Sequence, residues 1–156
     1  MTANRQAVQE FNDNRHLLDA ISDKLIRSRI ESSLKWYIRN AVTSKHYFYF
    51  FSVITIVAPI FSGILINLPL TDTYVKIISS IFAGLTSACA SALNLFNFRK
   101  DWELYRNQAE EIKRILAENL SDPIGDQKVL KRIEKSIQST EKNWMEMISR
   151  QDSNGQ

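Results

Sequence analysis

Two stretches of this chain run for about 22 residues each without a charged side chain, and that limits the fold more than any other feature. Residues 47–68 read YFYFFSVITIVAPIFSGILINL, and residues 77–98 read IISSIFAGLTSACASALNLFNF. At about 1.5 Å rise per residue, each would make a helix about 33 Å long, enough for a hydrocarbon core of about 30 Å. Helices buried inside soluble proteins usually run shorter and show a charged stripe on one face. The pattern therefore predicts an all-α membrane protein with a two-helix hairpin. A buried hairpin in a soluble protein is the competing reading, with more room in the second stretch because of its Ser, Thr and Asn. The loop 69–76 (PLTDTYVK) opens on Pro69, which stops the first helix.

Charge gives the orientation. Between Lys45 and Arg99 the only charged side chains are Asp72 and Lys76. Arg29, Lys35, Arg39 and Lys45 lie close before the first span; Arg99, Lys100, Arg106, Lys113 and Arg114 lie close after the second. Cationic residues favour the cytoplasmic side, so both termini are expected there. Tyr47, Tyr49 and Trp102 fall at one expected interface and Tyr74 at the other. Three regions follow: a cytoplasmic N-terminal helix (1–46), the hairpin (47–98, with spans 47–68 and 77–98) and cytoplasmic C-terminal helices (99–156).

The second span is rich in small residues. Ser80, Gly84, Ala88 and Ala92 form one row at four-residue spacing, and Ser79, Ala83, Ser87 and Ser91 form the next. Helices in lipid associate through close backbone contact at small side chains. One partner needs one such face, and here about half the circumference qualifies, which predicts further helices and a homo-oligomer of more than two subunits. A polar seam overlies these rows: Ser80, Gly84, Ser87, Ser91 and Asn94, with Asn97 a turn beyond. Two readings stay open for it. The seam lines a wet conduit, or it is interhelical glue worth roughly 0.6 to 2 kcal/mol per hydrogen bond. Ala83, Ala88 and Ala92, with Ser62 and Gly63 of the first span, are the expected packing positions. The first span also carries Ser52, Thr55 and Pro59 on its narrow polar stripe, and Pro59 should kink it. The rest of its surface is apolar, which places it outside and the second span inside.

Outside the spans, Leu18, Ile21, Leu25, Leu34, Ile38 and Ala41 predict an amphipathic helix starting near Asn14 and running into the first span. Acids on its polar face (Asp19, Asp23, Glu31) favour a packed bundle over a helix lying on the membrane surface. Trp102, Tyr105, Ala109, Ile112, Leu116 and Leu120 predict a second helix. Pro123 and Gly125 break it, and Leu130, Ile133, Ile137, Trp144 and Met147 predict a third. Residues 151–156 have no apolar residue to tie them down and are expected to be disordered.

Some chemistries find no support in these residues. Cys89 is the lone cysteine, and no Cys/His cluster has metal-ligand spacing, so no metal or cofactor is expected. His16 and His46 stand apart from any catalytic constellation, and there is no phosphate loop or GxSxG context, so no enzyme is expected. The net charge is +3 without a basic run, which leaves nucleic-acid binding unsupported. Neither span holds an ionisable group, which disfavours proton-coupled transport.

Lys35-Trp36-Tyr37, Ala41 and Lys45, the exit Asn94-Leu95-Phe96-Asn97-Phe98, and Trp102-Glu103-Leu104-Tyr105-Arg106 resemble the DUF4231/SLATT group over residues 23–120. That resemblance implies a bacterial inner-membrane protein with a two-helix hairpin and cytoplasmic helices. It also implies a pore-forming effector of a nucleotide-dependent conflict system, with no catalytic residue to carry over. No sensor domain is expected within these residues, which leaves the trigger unspecified. The expected function is thus an oligomeric pore for ions or small solutes, selective through its width and its hydroxyl and amide dipoles. Asp72, Asp101 or Glu103 at its mouths could favour cations, although ordinary solvated positions account for them as well. The competing expectation is a membrane-anchored interaction module without conductance.

Overall fold

The computed structural model describes residues 3–67 and 73–153, with residues 143 and 147–153 by backbone alone. Every regular element among them is helical. In chain order these are α1 (Ala3–Asp13), a 3₁₀ turn (Arg15–Ala20), α2 (Lys24–Asn67), α3 (Thr73–Phe96), α4 (Phe98–Ser121) and α5 (Asp126–Ser153). The chain forms two compact units, Met1–Val42 with Trp102–Gln156, and Thr43–Asp101. The loop stop at Pro69, the mouth acid Asp72 and the Met147 side chain lie outside the described residues.

The first unit is a helical bundle with a single apolar core. Ile30, Leu34 and Ile38 follow one another at four-residue steps on α2 and meet Ala109, Ile112, Ile115 and Leu116 of α4 and Val129 and Ile133 of α5. Fully burying one such Leu or Ile side chain is worth about 1.5–3 kcal/mol, so this cluster dominates the unit's stability. Leu25 and Leu120, expected on the buried stripes, are 82% and 50% exposed. Ile30 and Ile115 take the inward places instead.

The N-terminal segment departs from the expected single helix. The chain forms a separate short helix, α1, whose Ala7 and Phe11 reach the core at four-residue spacing. Asn14 ends it, its Nδ2 donating to the Glu10 carbonyl at 2.7 Å. The 3₁₀ turn then buries Leu17 and Leu18. Asp23 caps the new start of α2, its Oδ1 accepting the N–H groups of Leu25 (2.8 Å) and Ile26 (3.3 Å). Asp126, at the head of α5, accepts the N–H groups of Ser22 and Asp23 at 3.0 and 2.7 Å. One carboxylate thus ties two helix starts together. Gly125 makes the preceding turn with φ +93°, a conformation that a side chain would resist.

Polar groups inside the bundle are paired. Glu10 Oε1 accepts from Arg106 (2.6 Å) and from the buried Lys113 (2.7 Å), anchoring α1 on α4. Gln108, 2% exposed, donates to Ser136 Oγ at 3.1 Å and accepts from Thr140 Oγ1 at 2.8 Å. Tyr37 packs against the rings of Trp36 (4.8 Å) and Tyr105 (6.3 Å). Burial, then Glu141 and Tyr105, push its phenol above the usual tyrosine range. A group raised above its unfolded value of about 10 gives full stability below that pH and loses it as pH rises through the folded value. An absorbance titration is expected to show a delayed ionisation that disappears in Tyr37→Phe. An identical curve for the variant contradicts this account.

The second unit is an antiparallel pair made by the C-terminal part of α2 and by α3. Ser44, Phe48, Phe51, Thr55, Ala58, Ser62 and Leu65 are among its covered or half-covered positions on α2. Val75, Ser79, Phe82, Thr86, Cys89 and Leu93 are among those on α3. Both sets step by alternate fours and threes, the spacing that keeps one seam facing a partner helix. Ser62 Oγ donates to the Ser79 carbonyl at 3.3 Å, and the rings of Phe51 and Phe98 stack at 5.7 Å near the other end.

Two boundaries differ from the expected ones. The second apolar stretch is not one helix to Phe98, because α3 stops at Phe96 and Asn97 takes φ +43°. Asn tolerates the left-handed region better than most residues, so no glycine announces this break. The Asn97 carbonyl accepts from Lys100 and Asp101 (2.8 and 3.2 Å) and so starts α4. At the other end of the chain, α5 extends to Ser153, into the segment expected to be disordered; residues 154–156 lie outside the described residues. Helix α2 runs without interruption through Pro59, the position of the expected kink or hinge.

Candidate functional site

The candidate site grows from the shape of α3. At about 100° per residue, the seam toward α2 occupies one side of the helix. Ser80, Gly84, Ser87, Ser91 and Asn94 lie roughly 100–180° away from it, and all five are exposed within the chain. Ile77, Ile81, Leu85 and Leu95 form a third, apolar side and are exposed as well. One helix therefore carries three faces: a seam used by its own chain, a small polar face and an apolar face.

The polar row expected from sequence is thus brought onto one surface, and the hairpin does not use it. A Cβ added at Gly84 would meet nothing within 4 Å. Ser80 Oγ donates back to the Lys76 carbonyl at 2.9 Å. Asn97 does not continue the row, because it sits at the break. Of the expected packing positions, Ser62 lies in the seam, Ala92 is half-buried, and Gly63, Ala83 and Ala88 are exposed within the chain. Seam residues that sequence reasoning passed over include Phe82 and Cys89; their alternating spacing with Ser79 and Thr86 was the available signal.

Hydroxyls inside the seam are mostly satisfied locally. Thr55 Oγ1 and Thr86 Oγ1 each donate to the carbonyl one turn back, that of Phe51 and that of Phe82, at 2.8 Å. Ser79 Oγ is buried without a hydrogen-bond partner. Cys89, 4% exposed, is expected to resist maleimide in the folded protein and to react after denaturation. Rapid labelling before denaturation would place it outside the seam.

At the other functional candidates the geometry is plainer. Asp101 is half-buried in the first turn of α4, and burial raises its carboxyl above the usual range; Glu103 is exposed. A groove of about 370 Å³ in the bundle has Ile30, Ile133 and Ile137 along it. Its Arg29 and Glu134 pair with each other at 3.0 Å. Among the described residues no group of three or more His, Cys, Asp or Glu could hold a metal ion.

Fold and site together define an all-helical chain with two helices, α2 and α3, long and apolar enough to cross a membrane. Residues 32–117, more than half of the chain, match the family described as protein of unknown function (DUF4231), and the chain belongs to that family. No curated protein and no solved structure matches it.

Proposed function

We propose that this chain crosses a bilayer twice and that more than two copies surround an axis with α3 inward, forming a pore for ions or small solutes. The observation that carries this reading is the polar face of Ser80, Gly84, Ser87, Ser91 and Asn94, exposed within the chain and opposite the seam that α2 covers. Hydroxyls and amides at membrane depth need protein or water as partners. Copies of α3 packed side by side supply both, and Gly84 with its small neighbours allows close approach. The exposed surface of the apolar half of α2, with Val53, Ile56, Ile60, Ile64 and Ile66, suits lipid and fits the outer position. Basic residues flanking the spans favour cytoplasmic termini. Resemblance to the SLATT group supports a bacterial inner membrane and a role as a conflict-system effector.

The other reading is a membrane-anchored interaction module that oligomerises without conducting. The bundle favours it to this extent: it is a folded unit with its own core, able to present a surface to a partner. Subunit counting in detergent followed by current recording in planar bilayers separates the two. The pore requires an assembly above a dimer and discrete current steps. A stable dimer or monomer rules out a conduit lined by one helix per subunit.

A further inference from the structure

We propose that one end of the hairpin binds anionic phospholipid headgroups through Lys45, Arg99 and Lys100. Phe98 is the structural reason that these cations share a rim. Its ring lies 5.9 Å from Tyr47, 5.7 Å from Phe51 and 5.5 Å from Phe96. Lys45 is two residues before Tyr47, and Arg99 and Lys100 directly follow Phe98, so the cluster gathers both chain segments. All three cations are exposed, and Tyr47 beside them is 52% exposed. An amphipathic ring at this height sits at the headgroup level of a bilayer.

Charge complementarity selects the occupant. The rim carries three permanent cations, and the acids that follow them in the sequence are the half-buried Asp101 and the exposed Glu103. The sequence joining the spans at the opposite end holds Lys76 and Asp72, which cancel. Phosphodiester oxygens suit this set: the Arg99 guanidinium offers a planar fork of donors, and the two ammonium groups offer point charges. Each basic side chain at an anionic surface multiplies affinity about five-fold. The surface rests on the membrane-spanning reading and is independent of whether the assembly conducts.

The test uses the full chain in phosphatidylcholine vesicles containing traces of spin-labelled phosphatidylglycerol or spin-labelled phosphatidylcholine. The fraction of each label immobilised by the protein gives their relative association. The expected preference for phosphatidylglycerol is about five-fold or more. It should fall stepwise in Lys45→Gln, Arg99→Gln and Lys100→Gln, approach unity in the triple variant and in 1 M salt, and persist in Lys76→Gln. Equal association of the two lipids with the unaltered chain overturns the proposal, as does a preference that survives the triple substitution. Competition by inorganic phosphate at matched ionic strength overturns it too, because the surface would then be a site for free phosphate. Flotation with phosphatidylcholine vesicles alone reports separately on membrane insertion, and the salt series on the unaltered protein needs no variant to fold.

Discussion

A Ser87→Leu, Asn94→Leu double variant is expected to keep its assembly and lose its current. Both side chains lie on the face of α3 that the hairpin leaves open, so neither substitution disturbs the seam with α2. Each replaces a group that binds water with an isobutyl group, and apolar constrictions close pores by expelling water. Recording in planar bilayers, with subunit number measured in parallel, is the check. Single-channel current should drop below detection in the double variant and be reduced in each single one. A variant that conducts like the original chain would falsify the lining assignment. One that falls apart into monomers assigns the row to subunit contact.

Leu116→Ala is expected to cost about 2–5 kcal/mol in the bundle, whereas Leu120→Ala should cost less than about 0.5 kcal/mol. Leu116 is fully buried among residues of the core, and Leu120 is half exposed one turn later. Hydrogen exchange on reconstituted protein reads the difference locally, because each unit opens with its own free energy. Amides of α1 and α5 should lose protection about thirty-fold or more in Leu116→Ala. The seam between α2 and α3 has its own packing and should keep its protection. Equal losses from the two leucine variants would remove Leu116 from the core.

Those two leucines also show where sequence reading stops. Both fall on the stripe that begins at Trp102, and nothing in their spacing separates them. What separates them is the end of α4, where Asn119 turns inward and its Oδ1 accepts the Ile124 N–H at 3.0 Å. Leu25 fails for a similar reason, since it stands in the first turn of α2, where Asp23 rather than packing fixes the chain. The apolar spans were legible because missing charge over such a length is a coarse, cumulative signal. Helix α1 was not, because it is polar apart from Ala3, Ala7, Val8 and Phe11. The break at Asn97 was hidden inside an uncharged run and needed no glycine. The polar row on α3 could be read directly from its spacing. Which side of α3 its own partner would take could not, since Ser79 and Ser80 are chemically alike and differ only in phase.

The bundle is written in two instalments. Its first portion ends at Val42 and its second begins at Trp102, with the whole helical hairpin spelled out between them. Glu10 finds Arg106 and Lys113, and Ser22 finds Asp126, only across about a hundred positions of chain. During synthesis the early helices therefore wait with Ile30, Leu34 and Ile38 uncovered until α4 and α5 have emerged. By then the apolar stretches have already left the ribosome, so the order of translation commits the hairpin first and lets the bundle close last.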